Sequence, residues 1–129
     1  MKEIITSPNG PKAAGPYSPA VRQHGFVFLS GQIPLDPKTM QLVTGSIEEQ
    51  TTRVIENLRA VLESAGLTLD DVVKTTVFLK DMNNFARMNE TYGKLFGDKP
   101  PARTTVEVAR LPRDVQIEIE AIAFDSSSK

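Results

Sequence analysis

With 129 residues, 40% of them hydrophobic, the chain has the material for one domain spanning 1–129 and a single core without external staples. A formal net charge of −1 and the absence of Trp argue against a general nucleic-acid binder, while the lack of Cys and a lone His remove disulfides, thiolate nucleophiles, cysteine-ligated metal and the usual imidazole zinc or triad sites. The opening MKEIITSPNG has no apolar run of signal-peptide length and nothing approaches the roughly 18 apolar residues of a membrane span, so a soluble, cytoplasmic protein without membrane partners is expected.

Residues 3–6 read as a first short strand, ended by the turn formers Ser7-Pro8-Asn9-Gly10-Pro11. In Gly15-Pro16-Tyr17-Ser18-Pro19 two prolines restrict the backbone, so Tyr17 sits in a stiff extended loop, where it either presents its ring or covers a core edge. Residues 20–23 and 26–33 form a hairpin around Gln23-His24-Gly25, with Gly25 free to take the positive φ of a tight turn and His24 a solvated polar residue. In Ser30-Gly31-Gln32-Ile33-Pro34, Gly31 leaves room for close approach of a backbone or ligand and Pro34 ends the ladder. Ser30 has no basic partner in sequence, which leaves a nucleophilic role unsupported.

Residues 35–45 are a polar connection. A helix follows, opened by a Ser46/Glu49 capping box, with Ile47, Val54, Ile55, Leu58, Val61, Leu62 and Ala65 as its apolar stripe. Its charges Glu48, Arg53, Glu56, Arg59 and Glu63 face solvent, and Gly66 stops it. Residues 72–79 form a strand with Val73, Val77 and Leu79 on one face and Lys74, Thr76 and Phe78 on the other. Asp81 or Asn83 caps a second helix running to Phe96, with Gly97 after it and Met82, Phe85, Met88, Tyr92 and Leu95 as its stripe. Asn89 falls beside that stripe, and an amide there needs partners, a loop carbonyl being the simplest.

The segment 101–124 puts charged side chains inside two strand-like runs. Period-two alternation gives Arg103, Thr105 and Glu107 one shared face, and puts Glu118 and Glu120 on a face that continues into Ile122 and Phe124. Such carboxylates are either ordinary solvated charges or must be paired, hydrogen-bonded or functional. The order β, ββ, α, β, α, β, β predicts an α+β fold with a single mixed β-sheet and both helices on one face. The other face, carrying Lys74, Thr76, Phe78, Thr105 and Glu118, is then either solvated or covered by identical subunits.

The blocks GPYSPA (15–20), SGQIP (30–34), VVKTTVFLKDM (72–82), NETYGKLF (89–96), PARTTVEVARLP (101–112) and IEIEAIA (117–123), in this order and nearly end to end, resemble the RidA family, also called YjgF/YER057c/UK114. The resemblance implies a chorismate-mutase-like fold and a homotrimer whose sheets pack into a central barrel with three clefts between subunits. It implies hydrolysis of reactive 2-imino acids such as 2-iminobutanoate and 2-iminopropanoate, or their enamine tautomers, to 2-oxo acids and ammonia, downstream of pyridoxal-phosphate dehydratases and without metal or cofactor. The family's carboxylate-binding arginine falls on Arg103 and its water-holding glutamate on Glu118. Its other cleft residues fall on Tyr17, Ser30, Gly31 and Asn89, and Thr105 stands where many members have a cysteine. The competing expectations are a non-catalytic trimeric 2-oxo-acid-binding or chaperone-like module and, last, an endoribonuclease acting as translation inhibitor, for which the chain offers no His pair and no basic stripe.

Overall fold

The hairpin forms as its turn chemistry dictates. In the computed structural model, which describes residues 1–127, His24 and Gly25 take φ of 52° and 86°. Two consecutive positive φ values give the two-residue turn whose twist matches the flanking strands β2 (Ala20–Gln23) and β3 (Phe26–Gln32). β1 (Glu3–Ile5) adds antiparallel to β2.

Helix α1 (Ile47–Ser64) opens with the expected capping box: the Ser46 hydroxyl accepts from the Glu49 N–H at 3.1 Å, and the Glu49 carboxylate accepts from the Ser46 N–H at 3.3 Å. Gly66 follows its end at φ 78°, in the left-handed region that suits glycine. The apolar stripe is buried as predicted, apart from the half-covered Ala65, but Gln50, Thr51 and Asn57 are buried with it. Asn57 Nδ2 donates to the carbonyls of Ile33 and Leu35 at 3.2 and 2.9 Å, which fixes the connection leaving β3.

Strand β4 (Val72–Leu79) precedes α2 (Phe85–Phe96), β5 (Ala102–Glu107) and β6 (Ile117–Phe124). The six strands lie in one mixed sheet in the order β1-β2-β3-β6-β4-β5. β6 runs antiparallel to both β3 and β4, so these two are parallel to each other and need a crossover, which α1 supplies; β4 and β5 are parallel neighbours joined through α2. Both helices cover one face of this sheet. Val27, Leu29, Val77, Leu79, Ile117 and Ile119 pack there against Val54, Ile55, Leu58 and Met88. Among the described residues no helix is long and apolar enough to cross a membrane.

Three expectations shift in phase. A register irregularity between Val72 and Lys74 turns Val72 into the core and leaves Val73 46% exposed, so the inward set of β4 is Val72, Thr75, Val77 and Leu79. A 3₁₀ turn, Met82–Asn84, capped by Asp81, precedes α2; its tighter pitch takes Met82 off the helical stripe. Met82 and Phe85 are accordingly exposed and Phe96 is buried. Finally, Thr105 pairs with Val77 in the parallel ladder and shares its helix-covered face, not the open face assigned to it. Thr104 is the residue that points outward, its hydroxyl accepting from Lys74 Nζ at 2.8 Å.

The open face carries exposed apolar side chains, including Ile4, Phe26, Phe28, Val106 and Phe124. Phe26 meets the Phe124 ring edge-on at 5.0 Å. Contiguous exposed apolar surface of this kind marks an interaction surface.

Candidate functional site

Two separate clusters of chemistry-bearing side chains emerge. The first lies on the open face, where β3 bulges. Leu29 pairs with Ala121 and Gln32 with Ile119, so β3 spends one more residue than β6 at Ser30-Gly31. The bulge re-aims both residues toward a cavity of about 580 Å³. The Ser30 hydroxyl donates to the Ser18 carbonyl at 2.6 Å and the Ser30 N–H to the Pro19 carbonyl at 3.0 Å, stitching the proline-stiffened loop to the strand. In that loop the half-exposed Tyr17 accepts at its hydroxyl from the Ala14 N–H at 3.2 Å.

Gly31 owes its place to Glu118. A Cβ at Gly31 would overlap the Glu118 carboxylate, so only glycine lets that side chain lie flat against β3. Glu118 is half-buried and makes no hydrogen bond or ion pair among the described residues. Desolvation, and secondarily the charge of Glu120, pushes its carboxyl above the usual value of 4.5. Glu120, with Lys12 and Arg113, lines the same cavity. The Glu120 side chain is exposed and without a partner among the described residues.

The second cluster lies at the far edge of the sheet, on the helix side. Phe85, Asn89 and Tyr92, spaced i, i+4, i+7, share one face of α2 and look toward Arg103 and Thr105 on β5. The Arg103 guanidinium carbon lies 4.8 Å from the Tyr92 ring centroid and 5.5 Å from that of Phe85. Arg103 forms no ion pair among the described residues. Tyr92 is 4% exposed and shares a 2.6 Å hydrogen bond with the Thr75 hydroxyl, and burial pushes its phenol upward from 10.0. Asn89 Oδ1 and Thr105 Oγ1 are buried with no partner among the described residues; Asn89 Nδ2, the atom that could donate to the expected loop carbonyl, makes no such bond among them either.

Of the seven residues singled out from the sequence, the chain therefore gathers Tyr17, Ser30, Gly31 and Glu118 in one place and Asn89, Arg103 and Thr105 in another. Arg103 pairs across the ladder with inward Thr75, Glu118 with outward Phe78; the sheet itself stands between them. A smaller cavity of about 270 Å³ near Arg59, Glu63 and Leu69 contains neither cluster. Sequence reasoning passed over Thr75, Lys12 and Arg113. Thr75 had a readable sign, a hydroxyl at an inward strand position; Arg113 and Asp114 reach their places through φ of 55° and 59°, for which nothing in residue type gives notice.

The family model described as endoribonuclease L-PSP matches residues 7–125. The chain belongs to this family. It is the RidA family of the sequence resemblance, and its members carry several names. A RutC family protein of Saccharolobus solfataricus is 60% identical over 98% of this chain and 100% of its own length. A protein of Salmonella typhimurium named 2-iminobutanoate/2-iminopropanoate deaminase is 50% identical over 95% of this chain and 98% of its own. Among solved structures, Escherichia coli TdcF with bound serine superposes with a TM-score of 0.91 at 42% identity, covering 96% of this chain and 99% of that one.

Proposed function

We propose that this RidA family chain hydrolyses small 2-imino acids to 2-oxo acids and ammonia, in clefts between the subunits of a homotrimer. The observation that carries the reading is the division of the site. A guanidinium with no ion-pair partner among the described residues and a carboxylate of raised pKa lie on opposite faces of one sheet, a separation that a neighbouring copy against the apolar open face would close. The deaminase name of the half-identical Salmonella relative supports the chemistry.

In this reading Arg103 holds the substrate carboxylate through two parallel N–H donors, which fixes the imine carbon. The Glu118 carboxylate takes a proton from water as the water oxygen bonds to that carbon, and the C=N π pair moves onto nitrogen. The proton on Glu118 then passes to nitrogen. Glu118 then takes the carbinol O–H proton and gives it to the amine nitrogen; as C=O forms the C–N bond breaks, its electron pair stays on nitrogen and neutral ammonia leaves. Asn89 Oδ1 and Thr105 Oγ1 supply acceptors for the N–H groups formed on the way. Such substrates arise from pyridoxal-phosphate dehydratases, so the chain acts downstream of that class. Coupling a threonine dehydratase to the protein tests the proposal: 2-oxobutanoate and ammonia should appear faster than from the dehydratase alone, and an unchanged rate rejects it.

The family description favours a second reading, RNA cleavage. The lone His24 is exposed at the hairpin turn and does not line the Glu118 cavity, so RNA is expected to survive incubation with the purified protein.

A further inference from the structure

We infer that Phe85 and Tyr92, with Thr75 behind them, are positioning residues: a two-ring cradle that holds the guanidinium of Arg103 by its faces and leaves its N–H edge to receive a carboxylate. The inference rests on the reading of Arg103 as the carboxylate-binding group and says how the chain prepares it.

A guanidinium at a half-buried position needs a counterpart. A protein carboxylate would meet that need, but it would occupy the same in-plane N–H fork that a substrate carboxylate requires. Aromatic faces meet it differently, since the ring quadrupole attracts the cation through its flat side and makes no claim on the donors. Arg103 has two such faces within 5.5 Å and no ion pair among the described residues. Phe85 stands at the first residue of α2, 37% exposed, off the core stripe that the rest of the helix serves.

The Tyr92 ring is itself fixed. Its hydroxyl is held at 2.6 Å by Thr75, the residue directly opposite Arg103 in the β4–β5 ladder, and the Phe96 ring packs 4.5 Å away. The strand that carries the arginine and the strand that anchors its cradle are thus hydrogen-bonded neighbours, so the guanidinium and the ring move as one unit. Tyr92 does not need to touch the ligand for its role; it acts through Arg103.

The test uses 2-oxobutanoate binding measured by calorimetry on the assembled protein, together with the Arg103 Nε–H resonance. Phe85→Leu is the main variant, because Phe85 is exposed and its loss spares the core. Expected are a dissociation constant weaker by roughly 3- to 10-fold, an Nε–H signal that loses only the Phe85 part of its ring-current shift, and an unchanged melting temperature. KM for the imine should rise by a similar factor, with kcat within about twofold of wild type. Tyr92→Phe, which keeps the ring, should retain the ring-current shift. Wild-type affinity in Phe85→Leu, or an Arg103 signal at its random-coil position in the unaltered protein, overturns the inference. A protein that binds 2-oxobutanoate without hydrolysing imines rejects the deaminase reading alone, and the cradle is then decided by affinity and resonance. A protein that binds no carboxylate rejects both.

Discussion

Arg103 and Glu118 belong to the same sheet and face away from each other, the first toward the helices beside Thr75, the second toward the open side beside Phe78. If one cleft takes Arg103 from one subunit and Glu118 from the next, two inactive variants should repair each other. Mixing Arg103→Ala with Glu118→Gln chains at equal ratio under conditions that exchange subunits makes about a quarter of clefts whole, because half the donors on each side are intact. Recovery of about a quarter of wild-type turnover is expected. No recovery from mixed trimers, verified by mass spectrometry, rejects the shared cleft.

The Thr75–Tyr92 hydroxyl pair is buried on both sides, so its two single variants should differ from the double. Thr75→Val strands the phenol without a partner and should cost about 1–3 kcal/mol in urea unfolding. Tyr92→Phe strands the smaller threonine hydroxyl. The double variant removes both polar groups and should be more stable than Thr75→Val alone, which a double-mutant cycle reads directly. Strict additivity would mean that the 2.6 Å contact contributes nothing.

How much of this was readable in the chain follows the physics of each feature. Local signals carried: the Ser46/Glu49 cap, the Gly25 and Gly66 stops and the helical stripe each depend on residues close in sequence. Alternation also put Glu118 and Glu120 correctly on the open face. Period-two reasoning failed where the ladder slips, at Val73, and where the face of one strand depends on pairing with another, at Thr105. The separation of Arg103 from Glu118 is of the second kind, since each strand alternates correctly by itself and only the register between them says which faces agree. The family resemblance named the seven residues but not this division.

Gly31→Ala offers a selective way to disturb Glu118. The added methyl would meet the mobile carboxylate end of that side chain, not backbone, so the side chain can swing aside at little cost to the fold. A change in melting free energy below about 1 kcal/mol is expected, with turnover falling by roughly 10-fold or more because the proposed base is displaced. A variant that loses stability and keeps its rate would show that Gly31 serves the bulge and not the carboxylate.

The pH dependence separates Glu118 from Glu120. The carboxyl of Glu118 is raised above 4.5, first by desolvation and then by the charge of Glu120. In its proposed role as base it works only when ionised, so kcat/KM should rise with pH through a limb lying above 4.5. Glu120→Gln removes the second cause and leaves the first. The limb should therefore move to lower pH while staying above 4.5. The same shift works against the fold: a group whose native pKa is raised stabilises most below its unfolded value, and that contribution is lost as pH rises through the native one. Glu118→Gln should thus abolish the acid limb, slow turnover by roughly 10²-fold, and unfold at a higher temperature than wild type near pH 7. Glu120→Gln, at an exposed position without a partner among the described residues, should change stability by less than about 0.5 kcal/mol. Profiles of kcat/KM and melting temperature from pH 4 to 8 for the three proteins decide the matter. A limb that moves upward in Glu120→Gln, or survives in Glu118→Gln, assigns the base elsewhere.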